Sequence, residues 1–270
     1  RSYIFFMVLF SIFIYSPLAH MTWHPNGLFR NWGVLDFAGG TVVHMSAGFA
    51  ALAGAVFLGK RNVLIEHSIN VPYVILGTGL LWFGWFGFNA GSALGANADA
   101  VIAFANTNIA SATAMITWVF YERMLGRKMS ALGACIGAVV GLVAITPAAG
   151  FVNIGQSMFI GFVASIISNW AINFKNKTGI DDTLDVFPSH GVGGIVGMLL
   201  TAVFASEVGL IYNQTSTFYY HVIALIITSV YCFGGSYFLY FIVDKLLSMR
   251  VREDQESRGL DQSQHGEKIE

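Results

Sequence analysis

The strongest constraint on this chain is a series of eight long runs with almost no charge: 2–23, 37–59, 71–95, 98–122, 130–149, 151–174, 187–206 and 218–247. About twenty apolar residues span a bilayer as a helix, and helices satisfy every backbone polar group within hydrocarbon. The expected fold is therefore an all-α membrane protein, a polytopic bundle of eight transmembrane helices. Only 11% of the 270 residues are charged, and the formal net charge of -1 points to neither nucleic acid nor acidic partners. Cys135 and Cys232 lie inside apolar runs, where they read as small hydrophobes rather than a disulfide framework. The first run meets Pro17, His20 and Trp23 where a signal peptide would show a small-residue cleavage site. Together with the absent initiator methionine, this reads as a fragment or a processed chain.

Alternate crossings place the connectors near 60–70, 123–129 and 175–185, with the tail after 247, on the side of the N-terminus. Of fourteen Lys and Arg residues, only Arg30 then falls on the opposite face. This positive-inside segregation supports eight crossings and predicts that both ends are cytoplasmic. Gly133, Gly137 and Gly141 recur every fourth residue, as do Gly87, Gly91 and Gly95. Such stripes allow helix backbones to approach closely, so both are expected at tight contacts. The tail "VREDQESRGLDQSQHGEKIE" is charged and lacks apolar periodicity, which predicts disorder.

Within the spans, Asp36, His44 and His190 are the chemically costly positions. Asp36 stands at the start of a helix, where a carboxylate caps free N–H groups and complements the helix dipole. Asp185, three residues before Pro188, has the same reading. One buried histidine is as readily a satisfied core residue as a functional one, but two intramembrane histidines shift the balance toward function. Alternate crossings start their helices from opposite faces. At 1.5 Å per residue, His44 lies roughly 10 Å below the outer end and His190 roughly 5 Å above the inner end. Contact between them would need tilt, an indented vestibule or a broken helix end; opposed helices of this kind resemble an inverted repeat. Aromatics form a second constellation: Trp23, then Trp82, Phe83, Trp85, Phe86 and Phe88 ahead of Ser92. Most such rings are packing or interface residues. Phe88 and Ser92 nonetheless share a helix face and could hold a small cation by a ring and a hydroxyl. No nucleophile–base pair, metal-ligand set or phosphate loop stands out, which disfavours an enzyme.

The blocks "DFAGGTVVHMSAGFAALAGAVFLGKR", "GWFGFNAGSALGAN", "LGACIGAVVGLVAITPAAGFV" and "DDTLDVFPSHGVGGIVGMLLTAVFA", with the ending "GLDQSQHGE", resemble the ammonium transporter family of Amt, Mep and Rh proteins over essentially the whole chain. The resemblance implies an eleven-helix inverted-repeat fold of which this chain corresponds to the fourth to eleventh helices, with residues 1–247 as the transmembrane domain and 248–270 as a cytoplasmic regulatory tail. It implies that His44 and His190 are paired pore histidines sharing a hydrogen bond. By the same resemblance Trp23 and Ser92 recruit ammonium, Phe88 is one leaf of a phenyl gate, Trp85 and Thr146 line or support the path, and Asp36 orders the vestibule. It further implies ammonium or ammonia as substrate, no cofactor, a homotrimer in the cell membrane, and a PII-type partner at the tail. An ammonium-sensing module and a nonconducting fragment are the competing readings.

Overall fold

The structure, a computed structural model, describes residues 1–62 and 70–267. Lys268 and most of the 60–70 connector lie outside the described residues. α1 runs through Ser2–Phe10, a π-helical turn Ser11–Tyr15 and Ser16–Trp23. α2 is Gly40–Leu58, α3 Val71–Gly91, α4 Ala98–Met124, α5 Ala131–Ile145, α6 Ile154–Thr178, α7 Phe187–Phe204 and α8 Thr215–Leu246. A further short helix, α9, covers Glu253–Arg258 in the tail. Seven of the first eight are long and apolar enough to cross a membrane, and α5 is the shorter apolar helix among them. The protein is a multi-pass helical membrane protein.

Two packed groups meet at α2 and α7. In one, Phe6, Ile14 and Leu18 of α1 share a core with Val42 and Met45 of α2, Met198 of α7 and Leu225, Cys232 and Leu239 of α8. In the other, Ala103, Ala110 and Trp118 of α4 pack with Val140 and Ala144 of α5, Ile160 and Ala164 of α6 and Val196 of α7. Cys135 and Cys232 are buried free thiols.

The two glycine stripes have different fates. A Cβ on Gly137 would fall 2.5 Å from Trp118 Cβ, and one on Gly141 2.6 Å from the Ala110 carbonyl, so α5 lies directly against α4. Gly87 and Gly91 meet nothing within 4 Å, and α3 stops at Gly91, before Gly95. Spacing identifies a smooth face on α3 but not a neighbour for it.

The tail is also more ordered than its composition predicts. Arg250 donates to the Leu58 carbonyl at 2.6 Å and the Lys60 carbonyl at 2.7 Å, and Glu256 accepts from the Asn62 N–H at 2.6 Å. Charge-assisted contacts to the end of α2 hold it, a mechanism invisible to apolar periodicity. Arg61 in the connector after α2 pairs with Asp181 in the connector before α7, and Arg127 after α4 donates to Asn173 of α6.

Candidate functional site

The site is built where α2 and α7 cross. Asp36 is buried, and its carboxylate accepts from Gly39 N–H (2.9 Å), Gly40 N–H (2.6 Å), Thr41 N–H (2.8 Å) and the Thr41 hydroxyl (2.6 Å). These bonds occupy the free N–H groups of the first turn, where the helix dipole favours a negative charge. Gly39 enters this turn at φ +120°, a backbone conformation that L side chains rarely adopt.

The following turn, Gly40–Met45, is π-helical and carries His44; Phe187–Val192 is likewise π-helical and carries His190. π-helical turns interrupt the regular helical rise and re-aim side chains, often at functional sites. The helices touch backbone to backbone: a Cβ on Gly48 would lie 2.2 Å from Gly191 N. These features bring the imidazoles to a centroid distance of 5.6 Å with planes inclined 35°. Contact thus arises where two π-helical turns meet at a glycine crossing.

His44 is only 2% exposed, and its Nε2 finds no hydrogen-bond partner among the described residues. Its ring stacks on Trp85 at 5.2 Å and 17°, with Phe88 at 6.2 Å from His44 and 5.5 Å from Trp85. Trp85 in turn donates its indole N–H to Thr146 Oγ1 at 2.9 Å, and the Thr146 hydroxyl donates to the Leu142 carbonyl at 2.8 Å. The predicted residues His44, His190, Trp85, Phe88 and Thr146 therefore form one connected group. Phe88, at 40% exposure, is its open end.

Trp23 and Ser92 are placed differently. The Trp23 indole donates to the Asp36 carbonyl at 2.9 Å, while its ring is 40% exposed, so it is fixed beside the cap of α2. Ser92 donates back to the Phe88 carbonyl at 2.8 Å at the end of α3.

Asp185 does not cap α7. Asp182 does, accepting from Phe187 N–H at 2.8 Å, whereas Asp185 has φ +52° and pairs with Lys175 Nζ at 2.6 Å. Both carboxylates stand a few residues before Pro188, and spacing alone does not distinguish them. Sequence reasoning also misses His221, although a histidine inside an apolar run is itself a signal. It is fully buried and bridges two backbone segments.

Residues 1–269 match the profile of the Ammonium Transporter Family. The ammonium transporter of Aquifex aeolicus (strain VF5) is 46% identical over 273 residues, covering 99% of this chain and 64% of that protein. That of Bacillus subtilis (strain 168) is 42% identical over 276 residues, covering 99% of this chain and 68% of that protein. The crystal structure of Candida albicans Mep2 superimposes with a TM-score of 0.87 at 36% identity, covering 93% of this chain and 60% of that one. A sensor Amt protein gives 0.87 at 31% identity, covering 95% of this chain and 68% of that one. The chain thus spans 60–68% of the length of these relatives. With the match running along nearly all of its residues, the chain belongs to the ammonium transporter family.

Proposed function

We propose that this chain carries ammonium transport, recruiting the ion near Trp23 and Ser92 and passing ammonia by Phe88, His44 and His190. The observation that carries this reading is the pair of imidazoles behind Phe88, buried His44 and half-buried His190, 5.6 Å apart, with His44 Nε2 unpartnered among the described residues. A small polar solute can occupy that unmet hydrogen-bonding capacity. Neutral imidazoles offer both a donor and an acceptor and place no fixed charge in the path.

Energetics favour passage without the proton. Burying an intact, unpaired cation costs tens of kcal/mol by the Born argument. Deprotonating an amine acid comparable to lysine, of pKa about 10.4, costs about 3–5 kcal/mol near neutral pH. Ammonia, alone or with a separately relayed proton, is therefore the species suited to the apolar stretch.

In the same reading both chain ends are cytoplasmic, as the segregation of Lys and Arg suggests. Residues 248–270 form a regulatory tail open to a PII-type protein, and the assembly is a homotrimer. The likeness to a sensor Amt protein favours one alternative, in which ammonium is bound and signalled but not passed.

The decisive experiment replaces His44 and His190 with alanine in proteoliposomes of the full-length protein. Ammonium-driven current and methylammonium uptake should each fall at least about tenfold, equivalent to roughly 1.4 kcal/mol on the barrier. Unchanged values for both would refute a transport role for the pair. Ammonium binding without flux in the unmutated protein would favour the sensor.

A further inference from the structure

His221 is a buried ionisable residue that passage past His44 and His190 leaves unused. It lies on α8, and its ring joins two distant backbone segments. Nε2 accepts from the Leu35 N–H at 2.9 Å, and Nδ1 lies 3.0 Å from the Met198 carbonyl. An amide N–H can only donate and a carbonyl oxygen can only accept. Both contacts are therefore satisfied by one species alone, the neutral ring with its proton on Nδ1.

The anchored positions matter for the site. Leu35 is the neighbour of Asp36, whose carbonyl takes the Trp23 indole N–H and whose carboxylate caps α2. Met198 lies on α7, the helix that begins with the His190 turn. One imidazole thus holds the segment leading into the His44 helix against the body of the His190 helix. We propose that His221 is a positioning residue for ammonium recruitment: it clamps the Leu35–Asp36 segment to α7 and so fixes Trp23 at the mouth. What is recruited rests on the transport reading above, whereas the clamp can be tested without ammonium.

In proteoliposomes of the full-length protein, His221→Leu removes both contacts, while His221→Gln supplies a donor and an acceptor on one amide. With one to two hydrogen bonds lost, His221→Leu should raise the half-saturating ammonium concentration about three- to tenfold and leave maximal flux within about twofold. Amide hydrogen exchange over residues 34–41 should accelerate by a similar factor. His221→Gln should return both readouts toward the unmutated protein. Equal half-saturation and equal exchange in His221→Leu and the unmutated protein would overturn the clamp. So would a loss of maximal flux at unchanged half-saturation, which would place His221 in passage instead.

Should His221→Leu fail to assemble, the 15N imidazole spectrum of the unmutated protein decides, with the His221 signal assigned through His221→Gln. A neutral ring protonated on Nδ1 is expected, and one protonated on Nε2 overturns the proposal. If the unmutated protein moves no ammonium, the transport reading fails while the exchange and tautomer measurements still judge the clamp.

Discussion

α2 and α7 each begin with a carboxylate ahead of a π-helical turn that carries a histidine, yet the carboxylates at these two helix starts are held differently. Among the described residues, the Asp36 carboxylate meets only backbone N–H groups and one hydroxyl, and it is buried. Ahead of α7, Asp182 takes a single N–H, while Asp185, a quarter exposed, is paired with Lys175. The same plan is executed once with fixed dipoles and once with a full countercharge, the Lys175 ammonium. Dipoles from a rigid turn place no cation beside the mouth to repel an incoming one, whereas Lys175 is a compact charge whose partner Asp185 stands partly in water, where salt can screen the pair. The start of α2 should therefore be the more sensitive to mutation, and the start of α7 the more sensitive to salt.

The largest effect tests the first half of that contrast. Asp36→Ala leaves three backbone N–H groups without acceptors. With a cap worth about 0.5–2 kcal/mol and each orphaned buried donor about 1–3, a loss of about 3–5 kcal/mol is expected. It should appear as a lower unfolding midpoint in detergent. Asp182→Ala, which releases one N–H, should cost about 1 kcal/mol. Similar losses at the two positions would erase the distinction between the helix starts.

The crossing itself comes next, and it too is unequal. A Cβ on Gly48 would meet Gly191 N at 2.2 Å and Gly191 Cα at 2.4 Å, both backbone atoms that cannot swing aside. A Cβ on Gly191 would meet mainly the Phe187 ring, at 2.7 Å. Gly48→Ala should cost about 1–3 kcal/mol by overpacking and separate the two imidazoles. Gly191→Ala should cost less, because a ring edge can move. Thermal unfolding of the two variants, run with the same current assay, would show whether stability and passage fall together.

Much of this arrangement is written in the sequence at the level of composition. A bilayer demands about twenty apolar residues per crossing, so the helices stand out as runs. The same logic exposes intramembrane histidines, because an ionisable group in hydrocarbon is conspicuous. Neighbours are another matter. The stripes of α3 and α5 share one spacing, but Gly133, Gly137 and Gly141 all face α4 while Gly87 is open. Counting residues at the regular rise keeps His44 and His190 apart, because the π-helical turns and the Gly48–Gly191 contact are tertiary facts. Asp182 and Asp185 both precede Pro188 within two turns, and the placement of Lys175 on α6 divides their roles. The Arg250 anchor escapes a reading of the sequence for the same reason, since its partners are backbone carbonyls nearly two hundred residues away along the chain.

Lys175 probes the second half of the contrast. Its Nζ donates to the Asp182 carbonyl at 2.9 Å and pairs with Asp185 at 2.6 Å, and Lys175→Met abolishes both. Breaking a fully buried pair costs about 3–5 kcal/mol, but the partial exposure of Asp185 brings the expectation down to about 1–2. The loss should shrink at high salt. A Lys175→Met penalty independent of salt would show that the start of α7 is as insulated as the Asp36 cap.

The smallest effect belongs to Arg61 and Asp181, which join the connector after α2 to the connector before α7. Arg61 Nε and Nη2 donate to the two carboxylate oxygens at 2.8 and 2.7 Å, and its backbone N–H adds a third bond at 2.9 Å. These hydrogen bonds from Arg61 hold the Asp181 carboxyl below the usual carboxylate range, and the carboxylate raises the guanidinium in return. A depressed folded-state pKa stabilises the protein above the unfolded value of about 3.9 and loses that contribution as pH falls through the folded one. Because Arg61 is substantially exposed, Asp181→Asn should cost only about 0.2–1 kcal/mol at neutral pH. The gap between variant and unmutated protein should be widest at low salt, narrow with added salt, and begin to close as pH falls below about 4. A gap that grows on acidification would have the wrong sign for a carboxylate stabilised in its charged form. It would mean that folding favours the protonated acid, so that the ion pair with Arg61 is not what ties the two connectors together.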